Sequence, residues 1–316
     1  MLLRAAIEQR YPQTFPRMVA MRERLVEVCQ AFVDGGFGDG NAAQRLCSAD
    51  DGIYWQQLSE VLFAHQLTRV GIGFAHQQAG PDFRIDRVGR RIWIEVITPT
   101  AANIPAEWLA PAGNGVRDFP HEAILLRWTA AIKQKAEVLL GNPHLAVPGY
   151  LARGMVGADD AYVIAINGRL LRGFDGVFDA LNGISQFPFA VEATFAVGPL
   201  QVRINRETLE AGAPEHQQRY LIRKPAGLPV PADTFLDQRF APISAIWATD
   251  IDEFSLLERI PRMAVVHNPG AANPVSPQLL PAQDEYLARE IDEQNYQLDR
   301  VDGSLPGKAV DEVVVG

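Results

Sequence analysis

The run that most constrains this sequence is AYVIAIN at Ala161–Asn167, which is apolar almost throughout and is flanked by Asp159-Asp160 and Gly168. A strand without alternating polar residues is typical of a sheet covered on both faces. Such a sheet needs helices on either side. The sequence supplies helical candidates, with apolar residues recurring every three or four positions, at residues 15–32, 54–67 and 121–140.

Strand-like segments lie between the second and third of these helices. They cover residues 71–77, 83–86 and 91–98, and the last, RIWIEVIT, is rich in β-branched and aromatic residues. Pro99 closes it, because proline cannot donate to a ladder. The order is helix, three strands, helix, strand. We therefore expect an α/β fold with a mixed central sheet and flanking helices, an α-β-β-β-α-β core.

Beyond residue 185 the pattern becomes β-rich, and whether this half extends the first sheet or forms a layer of its own is left open. Strand-like runs are predicted at residues 187–197, 200–204, 219–222, 243–248 and 264–267. Four regions follow for the whole chain: an N-terminal helical segment (1–48), the α/β core (49–184), the β-rich C-terminal region (185–293) and a loosely ordered tail (294–316).

Composition excludes several classes of protein. No run approaches the roughly 18 apolar residues of a membrane span, and charged residues interrupt the N-terminus where a signal peptide would be apolar. The two cysteines, Cys29 and Cys47, fit neither a zinc site nor a redox pair, so we expect a cytoplasmic protein. The net charge of −9 opposes non-specific attraction to a polyanion, and any nucleic-acid contact needs a local basic patch.

Glu95 is the first candidate for chemistry. Side chains alternate along a strand, so Glu95 shares a face with Trp93 and Ile97. A half-buried carboxylate costs free energy unless it is paired, hydrogen-bonded or bound to a metal. The simpler alternative is an edge strand in which Glu95 pairs with an arginine: Arg69, Arg84 or Arg91.

Asp82, in the only Pro-Asp dipeptide of the chain, is the second candidate. A hairpin turning at residues 88–90 would bring Asp82 and Glu95 together at the same end of adjacent strands. Two converging carboxylates form a hard-oxygen site suited to Mg²⁺ or Mn²⁺. Considered alone, Asp82 is more typical of a turn that follows a proline.

Glu60 is the third candidate acid. It lies on the second helix, on the face that carries Phe63 and Leu67. There it could bind a second metal or orient a water. The alternative is a surface glutamate beside Gln56 or His65.

Taken together, Glu60 on a helix, Pro81-Asp82, a strand bearing Glu95-Val96-Ile97, and a following helix and strand resemble the PD-(D/E)XK nuclease superfamily, which has the restriction-endonuclease-like fold. The resemblance covers residues 50–170, about a third of the chain. It implies Mg²⁺- or Mn²⁺-dependent hydrolysis of phosphodiester bonds in DNA, with Asp82, Glu95 and the backbone carbonyl of Ile97 as metal ligands.

The chain departs from this superfamily at Ile97, where the pattern has a lysine that stabilises charge on the attacked phosphate and helps to position the water. Such a lysine can migrate to a neighbouring element, and the third helix offers Lys133 and Lys135. We prefer Lys135 as the catalytic lysine, because it shares its side of the helix with Arg127. Arg127 and Lys133 are then candidate contacts to substrate phosphates. The alternative is that both lysines extend from the helix edge into solvent.

Two other functions remain open. One is a non-catalytic binding or assembly protein on the same fold, which the missing lysine at 97 and the negative net charge favour. The other is a different hydrolase, such as a glycosidase that uses Glu95 with Asp82 or Glu60 as acid and base. A homodimer is compatible with each. Zinc-enzyme, Rossmann and Gly-x-Ser-x-Gly motifs do not occur.

Overall fold

A computed structural model of the protein describes residues 2–87, 89–111, 117–173, 181–257, 260–292 and 295–306. Its helices are α1 (Leu2–Arg10), α2 (Pro16–Asp34), α3 (Ala42–Leu46), α4 (Asp51–Arg69), α5 (Ala106–Leu109), α6 (His121–Leu140) and α7 (Phe189–Phe195). The Asp50 side chain caps α4 by accepting a hydrogen bond from the Ile53 backbone N–H at 2.8 Å. Proline at the first position of α2 fixes its initial φ.

The described strands are β1 (Phe83–Arg87), β2 (Arg90–Ile97), β3 (Gly141–Asn142), β4 (Val147–Pro148), β5 (Ala161–Asn167), β6 (Val197–Gln201), β7 (Glu215–Gln218), β8 (Leu221–Ile222), β9 (Val230–Pro231), β10 (Ala245–Thr249), β11 (Met263–His267), β12 (Asp284–Glu290) and β13 (Tyr296–Asp302). Seven of them form one sheet in the order β1-β2-β5-β10-β11-β12-β13. The remaining six form three two-stranded ribbons.

The large sheet is mixed, and helices cover it, so the predicted fold class is confirmed. Strands β2, β5 and β10 run parallel, and β1 is antiparallel to β2. One face packs against α2 and α4, where Phe63 and Trp247 meet with ring centroids 4.6 Å apart. The other packs against α6 and α7, where Trp128 stacks on Phe189. Burial of both faces explains the continuous apolar sequence of β5.

The C-terminal half contributes directly to this sheet. Strand β10 pairs with β5, and β11, β12 and β13 continue outward from it. The question that the sequence left open is therefore answered: this half extends the first sheet. Strand β13 lies within the tail expected to be loosely ordered, and seven cross-strand pairs with β12 hold it. Residues 307–316 of that tail lie outside the described part of the chain.

Two predicted strands take a different form. Residues 187–197 were expected to be a strand, but Phe189–Phe195 is the helix α7. The helix is buried on all sides, so its apolar residues show no one-sided pattern, and periodicity alone does not separate a buried helix from a buried strand. Residues 71–77 form only a single bridge to the sheet, between Ala75 and Arg84. No helix in the described part of the chain is long and apolar enough to span a membrane.

Candidate active site

The β1–β2 hairpin brings Asp82 to Glu95. Phe83 pairs with Ile94, so the register continued by one residue sets Asp82 opposite Glu95. The Val96 backbone N–H donates to Asp82 Oδ2 at 2.6 Å, which fixes the aspartate against β2. The turn contains Gly89 at φ +72°, a conformation that glycine adopts without strain. Val88, which was also expected in this turn, lies outside the described residues.

Glu95 points to the side of the sheet that faces α6. Its strand neighbours Ile94 and Val96 belong to the core under α2 and α4, whereas Trp93 and Ile97 belong to the core under α6. The Lys135 ammonium, on α6, donates to Glu95 Oε1 at 2.6 Å. Both side chains are buried, with 7% of Glu95 and 13% of Lys135 exposed.

Two of the three arginines considered as alternative partners of Glu95 make other contacts. Arg84 Nε donates to Asp86 Oδ2 at 2.9 Å. Arg91 lies 3.5 Å from Asp160 and 3.7 Å from Asp86. The cation that meets Glu95 is therefore the lysine of the following helix.

Glu60, on α4, lies within electrostatic reach of Asp82 and Lys135. It is buried, and Gln57, one turn earlier on the helix, donates to Glu60 Oε2 at 2.7 Å. Asp82 acts on Glu60 electrostatically, as does Lys135 from the other side. We call Glu60, Asp82, Glu95 and Lys135 the carboxylate cluster.

The electrostatics of the carboxylate cluster follow from three acids that share Lys135, with Arg45 acting on two of them. Burial first, and then the neighbouring Asp82 carboxylate, raise the pKa of Glu60 to about 8 and that of Glu95 to about 7. Burial also raises the pKa of Asp82, against the opposing effects of Lys135 and the Val96 N–H. Burial alone would lower the pKa of Lys135, but Glu95 and Asp82 raise it above its ordinary value. Lys135 therefore remains charged, while Glu60 and Glu95 are each partly protonated near neutral pH.

A divalent cation fits the chemistry of these side chains. The second oxygen of Glu95, Oε2, is buried and has no hydrogen-bond partner among the described residues. A hard cation would satisfy that oxygen and relieve the repulsion between Glu95 and Asp82. Within the described ranges no group of three or more His, Cys, Asp or Glu side chains is arranged to hold a metal. The expected ligand set is smaller, since it consists of two carboxylates and the Ile97 carbonyl.

The other two candidates for phosphate binding lie apart from the carboxylate cluster. Lys133 is 72% exposed and lies 3.7 Å from Glu137 on the solvent side of α6. Arg127 donates from Nε to the Thr100 carbonyl at 2.7 Å and from Nη2 to Thr100 Oγ1 at 3.2 Å. It lines a cavity of about 220 Å³ that also includes Ile97, beyond the end of β2. Neither residue touches Glu95 or Asp82 in this arrangement.

Three residues of the surroundings were not identified from the sequence. His76 Nδ1 lies 3.0 Å from the Asp82 carbonyl oxygen, and the Arg45 cation acts on both Asp82 and Glu60. Tyr150, in the segment after α6, lies close enough that Glu95 and Asp82 contribute, after burial, to raising its pKa. All three lie on loops or on another helix, and no spacing in the sequence connects them to the acids.

Comparison with known proteins gives no relative from which a role could be transferred. No family model, no curated protein and no solved structure matches this chain.

Proposed function

We propose that this protein is a Mg²⁺- or Mn²⁺-dependent phosphodiesterase that acts on DNA. The observation that carries the proposal is the contact between Lys135 Nζ and Glu95 Oε1, made beside a carboxylate that the opposing strand contributes. Ile97 occupies the expected position of the lysine, yet an ammonium group reaches the acids from the next helix. The resemblance to PD-(D/E)XK nucleases supports the same assignment.

Each residue of the carboxylate cluster has a task that its surroundings favour. Asp82 and Glu95 would hold the cation, together with the carbonyl of Ile97. A bound Mg²⁺ or Mn²⁺ would supply Lewis-acid stabilisation of charge on the phosphate and promote ionisation of the attacking water. Lys135 stays protonated and stabilises the remaining negative charge on the phosphate. Glu60, with a pKa of about 8, can exchange a proton near neutral pH and is suited to orient the water or accept its proton.

The test compares Asp82→Ala, immediately before β1, with Asp86→Ala, on β1. Asp86 is exposed and bonds to Arg84, so it serves as a matched control. With purified protein and DNA we expect cleavage in Mg²⁺ or Mn²⁺ and none in EDTA. Asp82→Ala should lose at least about a hundredfold in rate, because a cation ligand is removed, whereas Asp86→Ala should behave as wild type.

Two results would contradict the proposal. Equal cleavage by wild type and Asp82→Ala would assign the activity to another site or a contaminant. DNA binding without cleavage under any divalent cation would favour the non-catalytic alternative, a binding module on this fold.

A further inference from the structure

Backbone hydrogen bonds between α6 and the segment that follows it hold Tyr150 beside the carboxylate cluster. The backbone N–H of Tyr150 donates to the Val138 carbonyl at 2.9 Å, and that of Leu151 donates to the Leu139 carbonyl at 3.2 Å. These carbonyls belong to the last turn of the helix that carries Lys135. Tyr150 and Lys135 are therefore held by one structural unit.

Gly149 makes this connection possible. A Cβ at Gly149 would lie 2.3 Å from the Leu139 carbonyl oxygen and 2.3 Å from the Gly141 nitrogen. Both atoms are backbone and cannot move aside as the end of a side chain would, so only glycine allows the segment to approach α6 so closely. The close packing fixes the residue that follows, Tyr150.

The Tyr150 hydroxyl lies at the edge of the carboxylate cluster. It donates to the Gly80 carbonyl at 3.2 Å, two residues before Asp82. The tyrosine is only partly buried, unlike Glu95. Charged groups that act on the hydroxyl are Glu95 and Asp82, on and beside the hairpin, and Arg153 from the turn that follows. The Glu95 carboxylate also lies close enough to interact with the hydroxyl as a hydrogen-bond acceptor, which opposes the effect of burial and lowers the pKa of Glu95. A donor at the boundary between buried carboxylates and solvent is well placed to meet a group that enters from outside.

We propose that Tyr150 is a further residue of the site and that its hydroxyl donates a hydrogen bond to a phosphate oxygen of the bound substrate, in place of the bond to Gly80. The inference rests on the proposed function. The long contact with Gly80 is easily exchanged for a bond to a charged phosphate oxygen, since charge-assisted hydrogen bonds are shorter and stronger than neutral ones. Arg153 adds positive charge on the same side.

The experiment compares Tyr150→Phe with Tyr296→Phe. Tyr296, on the outermost strand β13, is a matched control, because its hydroxyl bonds to Glu290 on β12 at the opposite edge of the sheet from β1. Cleavage of a fluorescein-labelled oligonucleotide in Mn²⁺ should fall about ten- to a hundredfold in kcat/KM for Tyr150→Phe, as expected when one donor to a transferring group is lost. Binding of the same oligonucleotide in Ca²⁺ should weaken several-fold, and Mn²⁺ affinity should match that of Tyr296→Phe.

The outcomes separate this inference from the proposed function. If neither variant differs from wild type in cleavage or in oligonucleotide binding, Tyr150 makes no contact with substrate. If Mn²⁺ affinity falls in parallel with cleavage, Tyr150 acts by positioning the carboxylates, and the proposed contact is wrong. If wild type does not cleave at all, the proposed function fails, while oligonucleotide binding by the two variants still decides whether the hydroxyl meets a phosphate.

Discussion

Two groups of buried acids in the described part of the chain have opposite balances of charge and hydrogen bonding. In the first group both oxygens of each carboxylate have a partner, one a histidine and the other a backbone N–H, and we call these acids saturated. Glu192 on α7 pairs with His121 Nε2 at 2.5 Å and accepts from the Ser185 N–H at 2.8 Å. Glu285 on β12 pairs with His267 Nε2 at 2.9 Å and accepts from the Gln278 N–H at 2.7 Å.

The carboxylate cluster is the second group, and it is unsaturated. Three acids share one lysine, and Glu95 Oε2 lacks a hydrogen-bond partner among the described residues. The saturated acids join elements of the fold, α6 to α7 and β11 to β12, and leave no oxygen for a ligand. The difference teaches that buried charge alone does not identify a site. What distinguishes the carboxylate cluster from the two histidine–glutamate pairs is an acid with an oxygen left over, beside other acids.

The largest effect on stability is expected at a saturated acid. Glu192→Ala removes the partner of His121 and the acceptor of the Ser185 N–H, and both remain buried. Leaving one partner of a buried pair unmatched costs about 3 to 5 kcal/mol of the free energy of unfolding. Urea denaturation measures this change.

Glu95→Gln is the matched comparison. It keeps the shape of the side chain and an acceptor for Lys135, and it removes one of the mutually repelling charges while Asp82 and Glu60 still act on the ammonium. We therefore expect a change of less than about 2 kcal/mol. A loss as large as that of Glu192→Ala would show that the carboxylate cluster serves the fold in the same way as the histidine–glutamate pairs.

Lys135→Met should separate catalysis from cation binding. Loss of the ammonium should reduce the rate of DNA cleavage by about 10²- to 10³-fold, because the charge developing on the phosphate is no longer stabilised. Mn²⁺ affinity should rise or stay the same, since Lys135 no longer competes for Glu95 Oε1. Calorimetric titration with Mn²⁺, together with single-turnover cleavage, tests both parts. Loss of Mn²⁺ binding would mean that Lys135 organises the carboxylates instead of acting on the phosphate.

The free energy of unfolding should fall as pH rises, because the folded state raises the pKa of acids in the carboxylate cluster. Glu60 holds its proton up to about pH 8 in the folded state, compared with an ordinary pKa of 4.5 for the unfolded chain. Between these values the folded protein binds more protons, so stability without divalent cations is fully present at low pH and falls by about 1 to 2 kcal/mol as pH rises towards 8.

Two measurements check this dependence. Urea denaturation of Glu60→Gln between pH 5 and pH 8 should give a shallower decline than wild type. Stabilisation by Mg²⁺ or Mn²⁺ should grow over the upper part of this range, as the acids lose their protons. A wild-type stability that rises from pH 5 to pH 8 without metal would contradict the raised pKa values.

The sequence predicts the core of the fold well and the surroundings of the acids poorly. β5 and α6 match the predicted ranges because buried strands and amphipathic helices leave clear periodic patterns. The position of Asp82 near Glu95 could be predicted because a short hairpin fixes the register of the two strands. Tyr150 and His76 could not be predicted, since loops bring them in from outside any periodic pattern. The pairing of β10 with β5 is a long-range contact that local sequence does not encode.

The smallest effect is expected at Lys133, two positions before Lys135 on the same helix. Its side chain is 72% exposed and pairs with Glu137 at 3.7 Å, so Lys133→Ala should change stability by less than about 0.5 kcal/mol. We also expect cleavage within about twofold of wild type and little change in DNA affinity, since a mobile surface cation far from the acids adds only a screened attraction. Fluorescence anisotropy at two salt concentrations measures the affinity. A marked loss of affinity at low salt would restore Lys133 as the phosphate contact that the sequence predicts, and would place the path of the DNA along the exposed side of α6. An unchanged affinity, beside a large effect of Lys135→Met, would show that the direction of the side chain, inward or outward, separates the roles of the two lysines.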